Sequence, residues 1–129
     1  MPAKIGAELR MKRSNPKEVF ETYKKRFTYY SKYELEQAPN SDLRYVIVIP
    51  CYNEPNLLDT LNSLLACNNP NTSFEVIVVV NNSKDASETI QSFNQNTLRQ
   101  FYDWKKNVVS KHEFFCIDAM DLSPKKAGV

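Results

Sequence analysis

The stretch of sequence that decides the fold is Val46-Ile47-Val48-Ile49-Pro50-Cys51-Tyr52-Asn53-Glu54-Pro55. Its first four residues are apolar and β-branched, and such a run bounded by a proline predicts a buried strand. A polar tip follows, and leucines recur after it at helical spacing from Leu57 to Leu65. A second apolar run, at 76–80, also ends in a polar tip, at 81–85. Because ligands of parallel α/β sheets bind beyond the carboxyl ends of strands, the two tips predict a nucleotide-type binding rim.

Composition and charge bound the class of protein and its partners. The chain has 129 residues, enough for one domain, and 17 basic and 15 acidic residues give it a net charge of +2. Nucleic-acid binders usually carry a basic stripe, so this balance predicts no nucleic-acid partner. The sequence shows neither a secretory signal nor a run long enough to cross a bilayer. Three scattered cysteines are typical of a reducing compartment, so we expect a cytoplasmic location, which includes the cytoplasmic face of a membrane.

Glycine is scarce, and its scarcity excludes two nucleotide-binding motifs. Gly6 and Gly128 are the only glycines in the sequence. A P-loop and a dinucleotide fingerprint each need several glycines, because the backbone must wrap or closely approach the phosphates. A nucleotide would therefore be held by side chains and by the strand-end backbone. The sole histidine, His112, has no nucleophile paired with it in sequence, and we expect it to be solvated or locally bonded.

Residues 1–42 are predicted to form an arm and an amphipathic helix. Asn15 and Pro16 suit the cap and the first position of this helix, which we expect to run to Tyr33 or Glu36. Aromatic residues recur on one of its faces and predict a packing face rather than a nucleic-acid platform, at Phe20, Tyr23, Phe27 and Tyr30. The second predicted domain is 43–129.

Hydrophobic periodicity in the second domain predicts an α/β unit. Strands are expected at 44–49, 75–80 and 113–117. One crossover helix is expected at 55–67 and ends before Asn68-Asn69-Pro70. A second begins at a cap formed by Asp85 and runs to about residue 108, with a break at 94–96 left open.

The predicted topology leaves one sheet face and one edge bare. Right-handed crossovers place both connecting helices on the same face of three parallel strands laid out in one direction. The other face needs a cover, and the amino-terminal aromatic helix is the candidate within this chain. The first strand reads as central, because its β-branched run implies burial on both faces. An apolar edge without a partner is normally blunted, so we expect a larger fold or self-association as a homodimer.

The two tips and the helix between them resemble the start of a family 2 glycosyltransferase of the GT-A type. The residues that match are Pro50-Cys51-Tyr52-Asn53-Glu54, the leucines Leu57 to Leu65, the run 75–79 and Ser83-Lys84-Asp85. The tail Ser123 to Val129 resembles the segment where such enzymes run into a Gly-x-Ala-Arg-like helix. The resemblance covers about residues 44–129. It implies an α/β fold, a partial Rossmann-like (GT-A) parallel sheet of about three strands.

The resemblance also implies a reaction, the transfer of a sugar from a nucleoside-diphosphate donor to an acceptor that stays unassigned. The residues implied at the base and ribose are Pro50, Tyr52 and Glu54, with Asn81 and Ser83 or Asp85 near them. A ribose hydroxyl suits a carboxylate such as that of Glu54. The complete enzyme would use a divalent cation, Mg²⁺ or Mn²⁺, to neutralise the departing diphosphate. This chain is expected to bind no metal and to contain no catalytic residue.

Two departures from the family pattern qualify these expectations. The family usually has an aspartate directly after the second apolar run, and here that place holds Val80, with Asn81 next. Either the Asn81 amide substitutes, since it can donate and accept, or the nucleotide is held differently. Asp118 and Asp121 have the wrong spacing for an Asp-x-Asp metal motif and are expected in a solvated strand-end loop. We therefore expect the amino-terminal, nucleotide-binding half of the enzyme, inactive by itself.

Other interpretations remain beside the transferase. One is a non-catalytic binding or assembly module on an α/β scaffold. A receiver-like unit is disfavoured, because it needs acidic residues at strand ends where this chain has Pro50 and Asn81. Within the tips, Asn53 is expected to cap the first crossover helix, and 81–83 could equally serve a turn. Cys51 is expected to be a small buried residue, since no base lies near it in sequence.

Overall fold

A computed structural model of the chain describes residues 15–27, 33–67 and 71–127. These residues fall into two compact units, one within Met1–Lys32 and one within Tyr33–Val129. The predicted arm at 1–14 lies outside the described residues. The domain boundary expected after residue 42 stays a prediction.

The first unit contains helix α1, Pro16–Phe27. Asn15 caps it as expected, because its Oδ1 accepts a hydrogen bond from the backbone N–H of Lys17 over 3.0 Å. Phe20 and Tyr23 are exposed, so these two aromatic residues do not form a buried packing face. The side chain of Phe27 and all of Tyr30 lie outside the described residues. Tyr33 to Glu36 are not helical, so the predicted extension to those residues is wrong.

The second unit is a three-stranded parallel sheet with two crossover helices. Its elements in chain order are β1 (Leu43–Cys51), α2 (Leu57–Ala66), β2 (Ser73–Ser83), α3 (Glu88–Lys105) and β3 (Glu113–Leu122). The strand order is β1-β2-β3, with both pairs parallel. The predicted α/β class and topology are therefore confirmed. Helix α2 begins and ends slightly inside its expected bounds, and its expected terminator at 68–70 lies outside the described residues.

The core lies between the sheet and the two helices. The central strand β2 contributes Val76, Val78 and Val80, which are all fully buried. Leu61 of α2 and Phe101 of α3 are fully buried against them. The two helices are tied at the surface, where Trp104 Nε1 donates a hydrogen bond to Asn62 Oδ1 over 2.9 Å. Burial of these side chains is the main stabilising contribution to the unit.

Strand β1 is buried on one face rather than on both, which corrects the expectation of a central strand. Ile47 and Ile49 pack against the core, whereas the alternate residues Val46 and Val48 are 53% and 59% exposed. Among the described residues, β1 pairs only with β2 and is therefore an edge strand of this sheet. A continuous β-branched run suits either environment, so the sequence pattern alone could not distinguish them.

Strands β2 and β3 extend beyond their predicted ends. The parallel ladder continues through Val80 opposite Asp118 and Asn81 opposite Ala119, and it reaches Ser83 opposite Leu122. The segment 118–121, expected as a solvated loop, is therefore part of β3. The predicted strand ends were too early because they followed the ends of the apolar runs, whereas backbone pairing between β2 and β3 continues into the polar residues.

Helix α3 differs from its prediction in its cap and in its continuity. Ser87, not Asp85, is the N-cap, and its Oγ accepts from the backbone N–H of Ile90 over 3.3 Å. The helix passes unbroken through 94–96. Downstream of β3, residues 124–127 form turns rather than a helix, and the last two residues lie outside the described part. None of the described helices has both the length and the apolar character needed to cross a bilayer.

Candidate functional site

Two loops of different strands meet at the carboxyl edge of the sheet. Pro50 pairs with Val79 and Cys51 with Val80, so the neighbouring parallel strands β1 and β2 reach this edge together. The loop 52–56 follows β1, and the turn 84–87 follows β2. The predicted convergence of the two tips on one rim is therefore confirmed.

A cavity of about 280 Å³ opens between these loops. Its lining residues are Tyr52, Ser83, Asp85, Ala86, Ser87, Ile90 and Pro124. Three of the six residues predicted to contact a ligand therefore line one cavity, namely Tyr52, Ser83 and Asp85. The Tyr52 side chain is 43% exposed, which leaves its ring available to a bound molecule.

The other three predicted residues, Pro50, Glu54 and Asn81, do not line this cavity. Pro50 is exposed within β1, and Asn81 is half-buried in β2. Glu54 is half-buried, and its Oε1 accepts from the backbone N–H of Asn56 over 2.9 Å, at the start of α2. The Glu54 carboxylate thus satisfies a donor at the start of the helix, and Asn56 rather than the expected Asn53 is the N-cap residue.

The position where the resemblance leads one to expect an aspartate is closed to ligands. Val80 has no exposed surface and belongs to the core cluster. The polar side chains of the tip begin one residue later. Ser83 stabilises the turn that follows, because its Oγ accepts from the backbone N–H of Asp85 over 3.1 Å.

A buried chain of amides lies behind the rim, and sequence reasoning missed it. Asn94 of α3 accepts at Oδ1 from the backbone N–H of Asn53 over 3.0 Å. Its Nδ2 donates to Asn82 Oδ1 over 2.9 Å and to the Asn81 carbonyl oxygen over 3.3 Å. Asn82 Nδ2 in turn donates to the carbonyl oxygens of Met120 and Ser83, over 2.9 and 2.7 Å. The amides therefore link the ends of all three strands to helix α3.

One sequence signal could have found this network. Asn94, Thr97 and Phe101 are spaced by three and four residues, which places them on one face of α3, and all three are buried. A polar side chain on the core-facing stripe must find a buried partner.

Asn53 also has a positive φ of 50°, a conformation that asparagine tolerates better than most residues.

Burial governs the chemistry of the thiols near this edge. Burial, aided by the negative charge of Glu54, raises the pKa of Cys51 to about 11. Burial likewise raises the pKa of Cys116 to about 12. Both thiols therefore stay protonated near neutral pH and are poor nucleophiles, in line with the expected filler role of Cys51.

Asp118 and Asp121 of β3 have structural partners. Asp118 Oδ1 accepts from the backbone N–H of Met120 over 3.1 Å, and Tyr33 Oη donates to Asp121 Oδ1. Within 15–27, 33–67 and 71–127, no group of three or more His, Cys, Asp or Glu side chains is arranged to hold a metal ion. No residue of the described part is assigned as a cation ligand.

A larger cavity of about 510 Å³ lies at the amino edge of the sheet. It is bounded by Leu65, Cys67 and the segment 109–112. Ligands of parallel sheets bind at the carboxyl edge, and none of the predicted ligand residues lies in this cavity. The smaller rim cavity is therefore the candidate site.

Comparison with known proteins identifies one family. The family model of glycosyl transferase family 2 matches residues 46–113, which run from within β1 through α2, β2 and α3 to the first residue of β3. No curated protein and no solved structure gives a significant match to this chain. The matched residues include both tips that form the rim.

Proposed function

The chain belongs to glycosyl transferase family 2, and from that premise we propose that it binds the nucleoside of a nucleoside-diphosphate sugar for transfer of the sugar to an acceptor. The observation that carries this proposal is the cavity at the carboxyl rim that Tyr52, Ser83 and Asp85 line together. Such a rim is where open α/β sheets bind nucleotides. A flat base needs an aromatic or apolar wall, and a ribose needs hydrogen-bonding groups.

Each of these needs has a candidate side chain at the rim. The exposed ring of Tyr52 offers a stacking surface for a base, and Ile90 and Pro124 offer apolar contacts in the same cavity. The Asp85 carboxylate and the Ser83 hydroxyl supply acceptors for ribose hydroxyls. Pro50, Glu54 and Asn81 would contribute at the margins, where a bound nucleotide extends beyond the cavity.

A divalent cation is proposed as the partner of the donor diphosphate. Family 2 glycosyltransferases commonly use such a cation, and Mg²⁺ or Mn²⁺ suits phosphate oxygens. We propose that the chain contributes nucleoside binding rather than the cation site or the catalytic base. Binding of the nucleotide, not turnover, is therefore the measurement that tests this chain.

Calorimetric titration of the full chain with uridine diphosphate and guanosine diphosphate, each with and without Mn²⁺, tests the proposal. We expect one of the two diphosphates to bind. Tyr52→Ala should weaken that binding about tenfold, since one base–aromatic stack contributes about 1–3 kcal/mol. Tyr45→Ala is the matched control, because Tyr45 is also an exposed tyrosine but lies near the start of β1. No binding of either nucleotide, or equal losses in the two variants, would overturn the proposal.

The alternative function is a non-catalytic binding or assembly module, and one observation favours it. Val46 and Val48 are exposed on the outward face of β1. Absence of nucleotide binding together with stable self-association would support this alternative. The homodimer and the cytoplasmic location both stay predictions.

A further inference from the structure

The buried amide of Asn94 connects the two walls of the rim cavity. Two of its partners, Asn53 in the loop after β1 and Asn82 at the end of β2, are the immediate neighbours of the cavity-lining residues Tyr52 and Ser83. Ile90 lies one turn before Asn94 on the same face of α3 and lines the cavity itself. The same side chain thus lies directly behind three parts of the cavity wall.

The orientation of this amide is fixed by its partners. The backbone N–H of Asn53 can only donate, so the Asn94 atom that faces it must be the oxygen. The Asn94 nitrogen then faces two acceptors, Asn82 Oδ1 and the Asn81 carbonyl oxygen. Asn82 is oriented in the same way, because its nitrogen faces the two carbonyl oxygens of Met120 and Ser83. Asn82 and Asn94 have no exposed surface, so water cannot replace a lost partner without opening the core.

From this arrangement we propose that Asn94 is a positioning residue for the nucleoside site. It holds the loop after β1 and the end of β2 at a fixed separation, and so sets the width of the cavity between Tyr52 and Ser83. The inference rests on the proposed nucleoside binding and adds the residue that preorganises the site. A preorganised site binds more tightly because less ordering remains to be done when the ligand arrives.

Asn94→Leu tests the role, since it keeps the approximate volume and removes every hydrogen bond of the amide. Thr97→Val is the matched control. Thr97 is equally buried on the same face of α3, but its hydroxyl donates only to the Phe93 carbonyl oxygen of its own helix. We expect Asn94→Leu to weaken about tenfold the binding of whichever diphosphate, uridine or guanosine, the unaltered chain binds, and Thr97→Val to leave that binding within about twofold.

Amide hydrogen exchange separates positioning from general loss of stability. In Asn94→Leu the Asn53 amide should exchange much faster, while the Val78 amide in the central strand stays protected. In Thr97→Val both amides should stay protected. Loss of protection at Val78 together with Asn53 would indicate global unfolding and would overturn a specific positioning role.

The outcomes distinguish this inference from the proposed function. If the unaltered chain binds no nucleoside diphosphate, the proposed function fails and the positioning role fails with it. If the chain binds the nucleotide and Asn94→Leu binds it equally well, the positioning role alone is overturned. If Asn94→Leu does not fold, a measurement on the unaltered chain still tests the inference. The diphosphate that the unaltered chain binds, uridine or guanosine, should shift the side-chain amide resonances of Asn94, and unchanged resonances at saturation would contradict the inference.

Discussion

The imidazole of His112 lies flat on the ring of Phe74, with ring centroids 3.7 Å apart and planes inclined by 10°. Its Nδ1 also accepts a hydrogen bond from the backbone N–H of Phe74 over 3.1 Å. This contact at the amino edge of the sheet requires a neutral nitrogen at Nδ1, because a protonated imidazole can no longer accept there. His112 is therefore locally bonded, one of the two environments expected for it.

This contact predicts a pH dependence of stability. Burial lowers the pKa of His112 and the nearby Lys111 lowers it further, while Asp42 partly opposes them. The unfolded chain then binds the proton more readily than the folded one. The contribution is fully present above the unfolded pKa of about 6.5 and is lost as the pH falls through the lowered folded pKa.

Urea unfolding between pH 8 and pH 5 measures this effect. At pH values under 6.5, the urea concentration at which half of the unaltered chain is unfolded should decrease. His112→Gln keeps an acceptor for the Phe74 N–H but cannot titrate, so its profile should be flatter over the same interval. Parallel profiles for the two proteins would show that another group is responsible.

Phe101 is expected to be among the most sensitive core positions. Its ring has no exposed surface. It contacts Tyr102 edge-on, with ring centroids 5.4 Å apart, and Trp104 in a tilted arrangement, with centroids 6.0 Å apart. Phe101→Ala should lower the free energy of unfolding by about 3–5 kcal/mol, from lost burial and a residual cavity. Val109→Ala is the control, because Val109 is fully exposed and its truncation should change stability by less than about 0.5 kcal/mol. Chemical denaturation compares the two, and similar losses would contradict this assignment of the core.

The sequence was sufficient for the parts of the fold that local patterns encode. Apolar runs located three strands, and leucine and aromatic periodicity located the crossover helices between them. The strand order assumed for the right-handed crossovers, with three parallel strands laid out in one direction, is confirmed by the structure. The end of β2 was misjudged because Asn81, Asn82 and Ser83 are polar yet belong to the strand, with Asn81 and Ser83 paired to β3 on either side of an irregularity. The Asn82 side-chain amide finds partners in β3 and α3, and a local pattern does not show those partners.

The site was predicted in part for the same reason. Tyr52 and Asp85 lie in segments that follow strands and Ser83 is the last residue of β2, so topology alone brings them to one rim. Asn94 bonds to Asn53, 41 residues earlier in the chain, and to Asn82, 12 residues earlier. Such long-range pairing depends on the packing of α3 against the strand ends. The complete burial of Val80 likewise depends on the position of β2 between β1 and β3, which the local sequence does not show.

Substitutions of Ser87 and Asp85 are predicted to affect different properties, stability for Ser87 and ligand binding for Asp85. Ser87 caps α3, so Ser87→Ala should lower the free energy of unfolding by about 1 kcal/mol. Asp85 lines the rim cavity and is exposed, so Asp85→Asn should leave stability nearly unchanged and weaken binding of the uridine or guanosine diphosphate that the unaltered chain binds. Thermal melting and calorimetric titration of both variants check the pair. The reverse pattern would show that the sequence-based capping role of Asp85 was right.

The three cysteines should differ in their rates of alkylation. Cys67 is exposed, whereas Cys51 is buried and Cys116 is half-buried, and burial raises the pKa values of those two thiols to about 11 and about 12. Iodoacetamide at pH 8 should therefore modify Cys67 first, because the thiolate is the reactive species. Mass spectrometry of timed samples measures the order, and all three thiols should react together in denaturant. Early modification of Cys51 in the folded protein would contradict the burial of this strand end.

The outward face of β1 provides the test of self-association. Val48 is 59% exposed on a strand that has one paired edge among the described residues, and exposed apolar edge strands tend to pair with other chains. We expect the unaltered chain to sediment as a dimer, and Val48→Lys to shift it to a monomer, since lysine on an edge strand opposes pairing. Val109→Lys adds the same charge at another exposed valine and should leave the dimer intact. A monomeric unaltered chain, or equal effects of the two lysines, would remove β1 as the interface.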